Sequence, residues 1–179
     1  MMRSLLLIAL YFCLQNLSFS APAASVNERE YHIKAAFIAN FVRYTRWEHF
    51  ADKRFRFCVS DVEISQIFSS KLANETWFDL KPSFSVVQQY DAQDCDLLFI
   101  DKSSAAQWLA HNNNLATDNL LIVSESRGMS QSMSHINFFL ADNKLRFEIN
   151  PSRVTASNLT INASLLRLAR ITQSDGGSR

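Results

Sequence analysis

Apolar side chains near the start of the chain recur at the spacing of a helix. Between residues 31 and 42 they return every three or four positions, which predicts one apolar face of an amphipathic α-helix. The repeating positions are Tyr31, Ala35, Ile38 and Val42. Asn27 stands where an N-cap is expected, and Glu30 can return a hydrogen bond to it. We expect the helix to follow Asn27 and to end near residues 47–48.

Short apolar runs alternate with further helical patterns in the middle of the chain. Strands are predicted at residues 55–59, 84–87, 96–100 and 119–123, and helices at residues 62–73 and 101–110. The run at residues 97–100 is apolar throughout, as in strands that are buried on both faces of a parallel sheet. This alternation favours a mostly parallel sheet with helices on its faces, joined by right-handed crossovers.

The last third of the chain breaks the alternation. Residues 136–141 and 145–149 are predicted to form two strands of a hairpin that turns at residues 142–144. Pro151 stops the second strand, and two short helices are expected near residues 152–156 and 163–171. The expected fold class is α/β: a Rossmann-like, mostly parallel sheet flanked by helices, with a C-terminal β-hairpin.

The first 23 residues have the pattern of a secretory signal peptide. Arg3 supplies a positive charge, and residues 5–14 form an apolar run shorter than the roughly 20 residues of a spanning helix. Ala21 to Ala23 fit a small-residue cleavage site, and residues 18–20 are an alternative. We expect cleavage and release into an extracytoplasmic compartment. Residues 24–173 are then expected to form one domain, and residues 174–179 a disordered tail.

Charge disfavours a nucleic-acid partner. The chain has 18 Lys and Arg residues against 17 Asp and Glu residues, so loss of Arg3 with the signal peptide leaves a neutral protein. Basic and acidic residues are interspersed along it, whereas binding to a phosphate backbone needs a basic face.

Two cysteines remain once Cys13 leaves with the signal peptide, namely Cys58 and Cys95. An even pair in an oxidising compartment predicts a disulfide bond, which requires the strands near residues 55–59 and 96–100 to be neighbours. Two buried free thiols are the alternative. The histidines, His32, His49, His111 and His135, are scattered without the spacing of a zinc site. We therefore expect no metal ion.

No motif in the chain points to catalysis or to a cofactor. Its three glycines do not form a phosphate-binding loop, and Ser124 lacks the preceding glycine of a nucleophile elbow. Asp61 and Asp101 follow predicted parallel strands, where they are expected to cap the next helices. The same edge of the sheet is where open α/β sheets bind ligands. A small-molecule sensor that uses Asp61, Asp101 and Ser124 is therefore the second hypothesis.

Several blocks of the chain resemble, in order, those of the YfiR family of bacterial periplasmic proteins. They are EYHIKAAFIANF at residues 30–41, Trp47, FCV at 57–59, CDLLFI at 95–100, LIVS at 121–124, INF at 136–138, LRFEIN at 145–150 and SLLRLA at 164–169. The resemblance covers about residues 28–170. Members of that family usually carry a glycine pair before the INF block, where this chain has residues 131–134, QSMS.

The resemblance implies a periplasmic regulator, typically a homodimer, that binds and represses the periplasmic part of an inner-membrane diguanylate cyclase. Such a protein is no enzyme. The resemblance also implies that an oxidised pair at Cys58 and Cys95 keeps the repressor folded, and that reduction weakens repression. It places the partner surface on the C-terminal hairpin and the residues after it. The partner-binding residues implied are Ile136, Phe138, Glu148 and Val154. Because Glu148 lies between two inward-facing residues of a strand, we expect its carboxylate to point outward.

Overall fold

Seven strands form the main sheet in the part of the chain that the structure describes. The computed structural model describes residues 27–48, 54–87, 92, 94–111 and 117–174. The predicted signal peptide, His49 and residues 175–179 of the predicted tail lie outside the described residues. The helices are α1 (Glu28–Arg43), α2 (Val62–Leu72), α3 (Ala105–His111), α4 (Met129–Ser132), α5 (Pro151–Ala156) and α6 (Ala163–Leu166). The strands are β1 (Thr45–Trp47), β2 (Phe55–Val59), β3 (Pro82–Val86), β4 (Leu97–Ile100), β5 (Leu121–Ser124), β6 (Ile136–Ala141), β7 (Lys144–Ile149), β8 (Leu159–Ile161) and β9 (Arg170–Ile171).

The strand order of the main sheet is β3-β2-β4-β5-β6-β7-β9. The first five strands in this order run parallel to their neighbours. β7 turns back beside β6 as an antiparallel hairpin, and β9 lies parallel to β7. The chain moves from β2 outward to β3 and then to the other side at β4, as in doubly wound α/β sheets. The predicted fold class, including the C-terminal hairpin, is confirmed.

Two hydrophobic cores cover the two faces of the sheet. Alternate residues of each buried strand point to opposite faces, so Leu97 and Phe99 enter one core while Leu98 and Ile100 enter the other. α1 and α2 cover the first face, where the ring of Phe68 lies 5.0 Å from that of Phe99. α3 and the start of α4 cover the second face. Burying a side chain as large as Phe68 stabilises the fold by about 1.5–3 kcal/mol.

The first helix begins as expected but ends earlier. The Asn27 side chain accepts a hydrogen bond from the backbone N–H of Glu30, which confirms the predicted cap. α1 ends at Arg43 rather than near residues 47–48. The next residues leave the helix because they form β1, which pairs antiparallel with β8 as a separate two-stranded ribbon. Neither strand of the ribbon was predicted from the sequence.

The C-terminal helix is also shorter than expected. The pattern at residues 163–171 predicts one helix, but α6 ends at Leu166 and the chain enters β9 at Arg170. The backbone N–H of Thr172 then donates a hydrogen bond to the carbonyl of Ile149, which holds the segment against β7. A two-residue strand carries no periodic pattern, so sequence reasoning could not separate it from the helix.

The disulfide between Cys58 and Cys95 is present, as predicted. Cys58 lies in β2, and Cys95 lies just before β4, the neighbouring parallel strand. Their Cα atoms are 5.8 Å apart, which is inside the range that a disulfide can bridge. Both residues belong to the core on the α3 face, so the bond joins two adjacent strands beneath a hydrophobic layer.

His135 is a buried polar anchor at the start of β6. Its Nδ1 accepts a hydrogen bond from the backbone N–H of Ile122 at 2.8 Å, and therefore its Nε2 carries the proton and donates to Ser157 Oγ. Burial lowers the pKa of His135 to about 3, and the positive charge of Arg153 acts in the same direction. The ring is neutral at pH 7 and links β5, β6 and the end of α5.

We expect loss of the disulfide to lower the free energy of unfolding by about 2–5 kcal/mol. The two cysteines are 37 residues apart, and opening that loop gives the unfolded chain more conformational freedom. Urea unfolding of the oxidised protein, the reduced protein and Cys58→Ser measures the effect. The reduced protein and the variant should agree, and equal stability of the oxidised and reduced forms would contradict the prediction.

We expect acidification from pH 7 to pH 5 to destabilise the protein. Unfolded His135 binds a proton below its ordinary pKa of 6.5, whereas the folded ring stays neutral down to about pH 3. The contribution of neutral His135 to the free energy of unfolding is therefore complete above pH 6.5 and falls as the pH drops from 6.5 towards 3. Between pH 7 and pH 5 the loss is roughly 2 kcal/mol. Urea unfolding at both pH values measures the loss. His135→Gln should lose clearly less over the same interval, and equal losses would show that another group is responsible.

Candidate functional site

A cleft of about 990 Å³ opens beside the β6–β7 hairpin. The register of β6 explains this cleft. β6 pairs with β5 only through Ile136 and Asn137, but it pairs with β7 through all six of its residues, up to Ala141. The hairpin therefore projects beyond the carboxyl end of β5. The first turns of α1 form one wall of the gap, and the loop from β5 to α4 forms its base.

A buried ion pair fixes the α1 wall. The side chains of Lys34 and Glu125 are 3% and 7% exposed, and the Lys34 ammonium contacts Glu125 and Glu30. Glu125 Oε1 also accepts hydrogen bonds from the hydroxyl of Tyr31 at 2.7 Å and from the backbone N–H of Lys102 at 3.0 Å. These bonds tie α1 to the carboxyl ends of β4 and β5. Buried charges persist in this way only where partners satisfy them.

Burial, helped by the negative charge of Glu125, raises the pKa of Tyr31 above its ordinary value. The phenol therefore keeps the proton that it donates to Glu125. Lys34 also lies 4.4 Å from the centre of the Tyr31 ring, so the ammonium contacts both the aromatic face and the carboxylate.

A second buried carboxylate, that of Glu148, also lines the cleft. Its Oε1 accepts hydrogen bonds from Ser130 Oγ at 2.6 Å and from Asn137 Nδ2 at 3.1 Å. Its Oε2 accepts from Arg170 Nε at 2.9 Å. Burial alone would raise the pKa of Glu148, but the hydrogen bonds from Ser130, Arg170 and Asn137 outweigh it and hold the pKa below its usual value.

The expected outward position of Glu148 is wrong. Strand alternation does place it on the opposite face from Phe147 and Ile149, which both lie in the core under α1. That opposite face is covered as well, by α4 and by Arg170 of β9, and Glu148 is only 2% exposed. A role of Glu148 in binding a partner stays a prediction.

The four predicted partner-binding residues are all buried and do not share one surface. Ile136 lies in the main core and lines neither the cleft nor the pocket at Val154. Phe138 lines the cleft, as Glu148 does, while its ring packs 5.5 Å from that of Phe41 on α1. Val154 lines a separate pocket. Their roles in partner binding stay predictions.

This second pocket has a volume of about 310 Å³ and lies between α5, β8 and α6. Val154 forms part of its wall together with the apolar residues Pro151, Leu159 and Leu166. The exposed Thr155 stands at the same pocket. The polar residues Glu48, Asn158 and Thr160 also line the pocket, so it presents apolar and polar groups side by side.

The polar side chains of the small-molecule hypothesis are hydrogen-bonded within the fold. Asp61 caps α2 by accepting a hydrogen bond from the backbone N–H of Ile64, as the capping interpretation predicted. Asp101 accepts hydrogen bonds from Ser60, Ser103 and Ser104. Burial would raise its pKa, but these bonds outweigh burial and lower it.

Ser124, the third residue of that hypothesis, is fully buried and bonded to Ser134 and Asn137. Neither Asp61, Asp101 nor Ser124 lines the cleft or the second pocket. A ligand site at these three residues stays a prediction.

The described residues contain neither a metal-binding cluster nor a membrane-spanning helix. Across residues 27–48, 54–87, 92, 94–111 and 117–174, no cluster of three or more His, Cys, Asp or Glu side chains is placed to hold a metal ion. Within the same ranges, no helix has the length and apolar character needed to span a bilayer.

Sequence reasoning named Phe138 and Glu148, which line the cleft, but missed Lys34, Glu125 and Arg170. Lys34 gave a usable signal, because it stands beside Ala35 and four residues before Ile38 on a helix, and Glu30 precedes it by four residues. A lysine at such a position indicates a buried partner. Arg170 gave no comparable signal, since the strand that carries it was not predicted.

The chain matches a known protein family over most of its length. A sequence profile described as YfiR/HmsC-like matches residues 31–170 of the chain. No curated protein matches the chain significantly.

We expect Arg170→Ala to lower the free energy of unfolding by about 1–3 kcal/mol, because it leaves the buried carboxylate of Glu148 without its charged donor. Arg146→Ala is the matched control: it removes an exposed arginine from the hairpin and should change stability by less than about 0.5 kcal/mol. Urea unfolding measures both. Equal effects of the two substitutions would show that the contact between Arg170 and Glu148 contributes nothing.

Proposed function

The chain belongs to the YfiR/HmsC-like family, and we propose that it is a periplasmic regulator of diguanylate cyclase signalling. In this proposal it is not an enzyme. It binds the periplasmic part of an inner-membrane diguanylate cyclase and represses it, acting as a homodimer. The family match over residues 31–170 supports the general role, and the shape of the C-terminal half supports the mode of action.

The observation that carries the proposal is the state of the carboxylates in the cleft. Glu125 and Glu148 are buried and already accept several hydrogen bonds each. A general acid or base needs a proton that it can exchange with a substrate. Carboxylates held by neighbouring side chains instead give the surface a fixed shape, which suits recognition of a partner.

The C-terminal half also offers apolar groups for contact. Leu140 on the hairpin is 68% exposed, and Leu168, just before β9, is 75% exposed. The pocket at Val154 can receive an apolar side chain, which is how many interfaces anchor their partners. These features support the hairpin and the residues after Pro151 as the partner surface.

The disulfide supports a redox-responsive form of the same function. Cys58 in β2 and Cys95 just before β4 link the second and third strands of the seven-stranded sheet. In the proposal, reduction loosens this part of the sheet and weakens repression, which raises the concentration of cyclic di-GMP in the cytoplasm.

A small-molecule sensor is the second candidate, and the sizes of the two concavities favour it. Volumes of about 990 Å³ and 310 Å³ fall in the range of ligand-binding pockets. A ligand at a hundred times its dissociation constant would stabilise the fold by roughly 2.7 kcal/mol, so a screen of metabolites for a rise in melting temperature tests this candidate.

Repression is tested by expressing the chain, with its N-terminal segment, together with membrane diguanylate cyclases that have periplasmic domains. The host should lack cyclases of its own, and the cellular concentration of cyclic di-GMP is measured. The wild-type chain should lower it for at least one cyclase. We expect Thr155→Arg to reduce this repression, because the long side chain fills the pocket beside Val154 without entering the core.

Ala156→Arg is the matched control. Ala156 is exposed on the same helix and does not line the pocket, so this variant should repress as the wild type does. Melting temperatures of both variants verify folding, since surface substitutions of this kind change stability by less than about 0.5 kcal/mol. Full repression by a folded Thr155→Arg would exclude the pocket, and repression of no cyclase by the wild type would refute the proposed function.

A further inference from the structure

One edge of β6 lies open along the cleft. Beyond Asn137, the strand continues for four residues, 138–141, that pair with β7 on one side. Within the part of the chain that the structure describes, no strand pairs with these residues on the other side. An unpaired strand edge presents backbone N–H and C=O groups that can bond an added strand.

The geometry of the turn identifies the groups that face the cleft. Asp142 and Asn143 have φ values of 50° and 55°, which is the left-handed conformation of a two-residue hairpin turn. The residues that flank such a turn, Ala141 and Lys144, form a hydrogen-bonded pair, and bonded and non-bonded pairs then alternate along the hairpin. Leu140 is therefore in a non-bonded pair, and its N–H and C=O point away from β7.

The pairing at the other end of the hairpin agrees with this assignment. The backbone N–H of Asn150 donates to the carbonyl of His135 at 2.9 Å, so these two residues form a hydrogen-bonded pair. The next pair along the hairpin, Ile136 and Ile149, is therefore a non-bonded one. Phe138, two residues further along β6, is then also in a non-bonded pair, and so is Leu140. The N–H and C=O of Leu140 thus face the cleft, and the Leu140 side chain beside them is 68% exposed.

The charge of the cleft is positive on balance. Four cations and three carboxylates line it, namely Lys34, Lys102, Arg127 and Arg170 against Glu30, Glu125 and Glu148. Lys34 is paired with Glu30 and Glu125, and Arg170 with Glu148, so one carboxylate beside Lys34 stays uncompensated. Lys102 and Arg127 are exposed, and among the described residues neither of these two side chains makes a salt bridge. These two cations, one after β4 and the other after β5, leave the cleft with a net charge of +1.

We propose that the open edge of β6 binds an extended peptide segment of the protein's partner as an added strand, and that this segment carries acidic side chains that meet Lys102 and Arg127. Backbone hydrogen bonds to an exposed edge supply affinity in such complexes, and side chains of the added strand supply specificity. The peptide occupies the line of β5 beyond Ser124, between α1 and α4. The inference rests on the proposed function in that it names how the partner of the repressor is held.

The test uses the full folded chain and a phage-displayed library of random 12-residue peptides. Selected peptides are synthesised with a fluorescent label, and their dissociation constants are measured by fluorescence polarisation. We expect selected sequences to be rich in Asp and Glu. Leu140→Pro, which removes the outward N–H, should weaken binding about tenfold or more, and Leu140→Ala should weaken it less.

Charge is tested on the same peptides. Lys102→Glu combined with Arg127→Glu should also weaken binding about tenfold or more, because it reverses both free charges. Arg146→Glu is the control, since Arg146 is exposed on the same hairpin but does not line the cleft. It should leave the dissociation constant within about twofold of the wild type. Circular dichroism melting verifies that every variant is folded.

The outcomes separate this inference from the proposed function. No selected peptide, or equal binding by folded Leu140→Pro and wild type, overturns the open-edge site whatever the repression assay shows. If the wild type represses a cyclase and folded Leu140→Pro represses it equally well, the proposed function stands and the strand-addition mode is wrong. If the wild type represses no cyclase, the proposed function fails, and the peptide measurements alone decide whether the edge binds acidic strands.

Discussion

A sheet of parallel strands must be covered on both faces, because its strands are apolar on both sides. This constraint organises the protein. α1 and α2 shield one face, and α3 and α4 shield the other, so each buried strand supplies two cores at once. The same rule reaches the antiparallel end of the sheet, where Phe147 and Glu148 point to opposite faces and both are buried. There the second layer is polar, and it is stable because Ser130, Asn137 and Arg170 satisfy the carboxylate.

Several local features of the fold could be predicted from the sequence. The cap at Asn27, the apolar run at residues 97–100 and the hairpin turn at residues 142–143 all indicate local structure through local chemistry. The pairing of Cys58 with Cys95 was predicted from the even count of cysteines in an exported chain. It required the strands near them to be neighbours, and β2 and β4 are neighbours in the sheet. The short elements β1, β8, β9 and α4 were not readable, because two to four residues carry no period and their conformation depends on distant partners.

The candidate site was harder to predict than the fold, and Glu148 shows the reason. Alternation along a strand tells which side chains share a face, but it does not tell whether that face is covered. The cover of Glu148 comes from α4 and β9, which are the elements that left no signal. Lys34 shows how far local spacing reaches. Its place on the apolar side of α1, four residues after Glu30, indicates the ion pair within the helix. It does not identify the buried partner Glu125, which lies 91 residues away in the sequence.

The ribbon of β1 and β8 joins residues from opposite ends of the domain. The apolar face of α1 is completed just as late, because Phe41 packs against Phe138 and Phe147. A chain that emerges N-terminus first, from a ribosome or through a translocation pore, therefore displays this apolar helix long before its cover arrives. During that delay the helix is a target for holding chaperones and for proteases. Completion of the β6–β7 hairpin, which supplies Phe138 and Phe147, marks the point at which the emerging chain can cover the apolar face of α1. A product truncated before this hairpin therefore remains recognisable as unfinished.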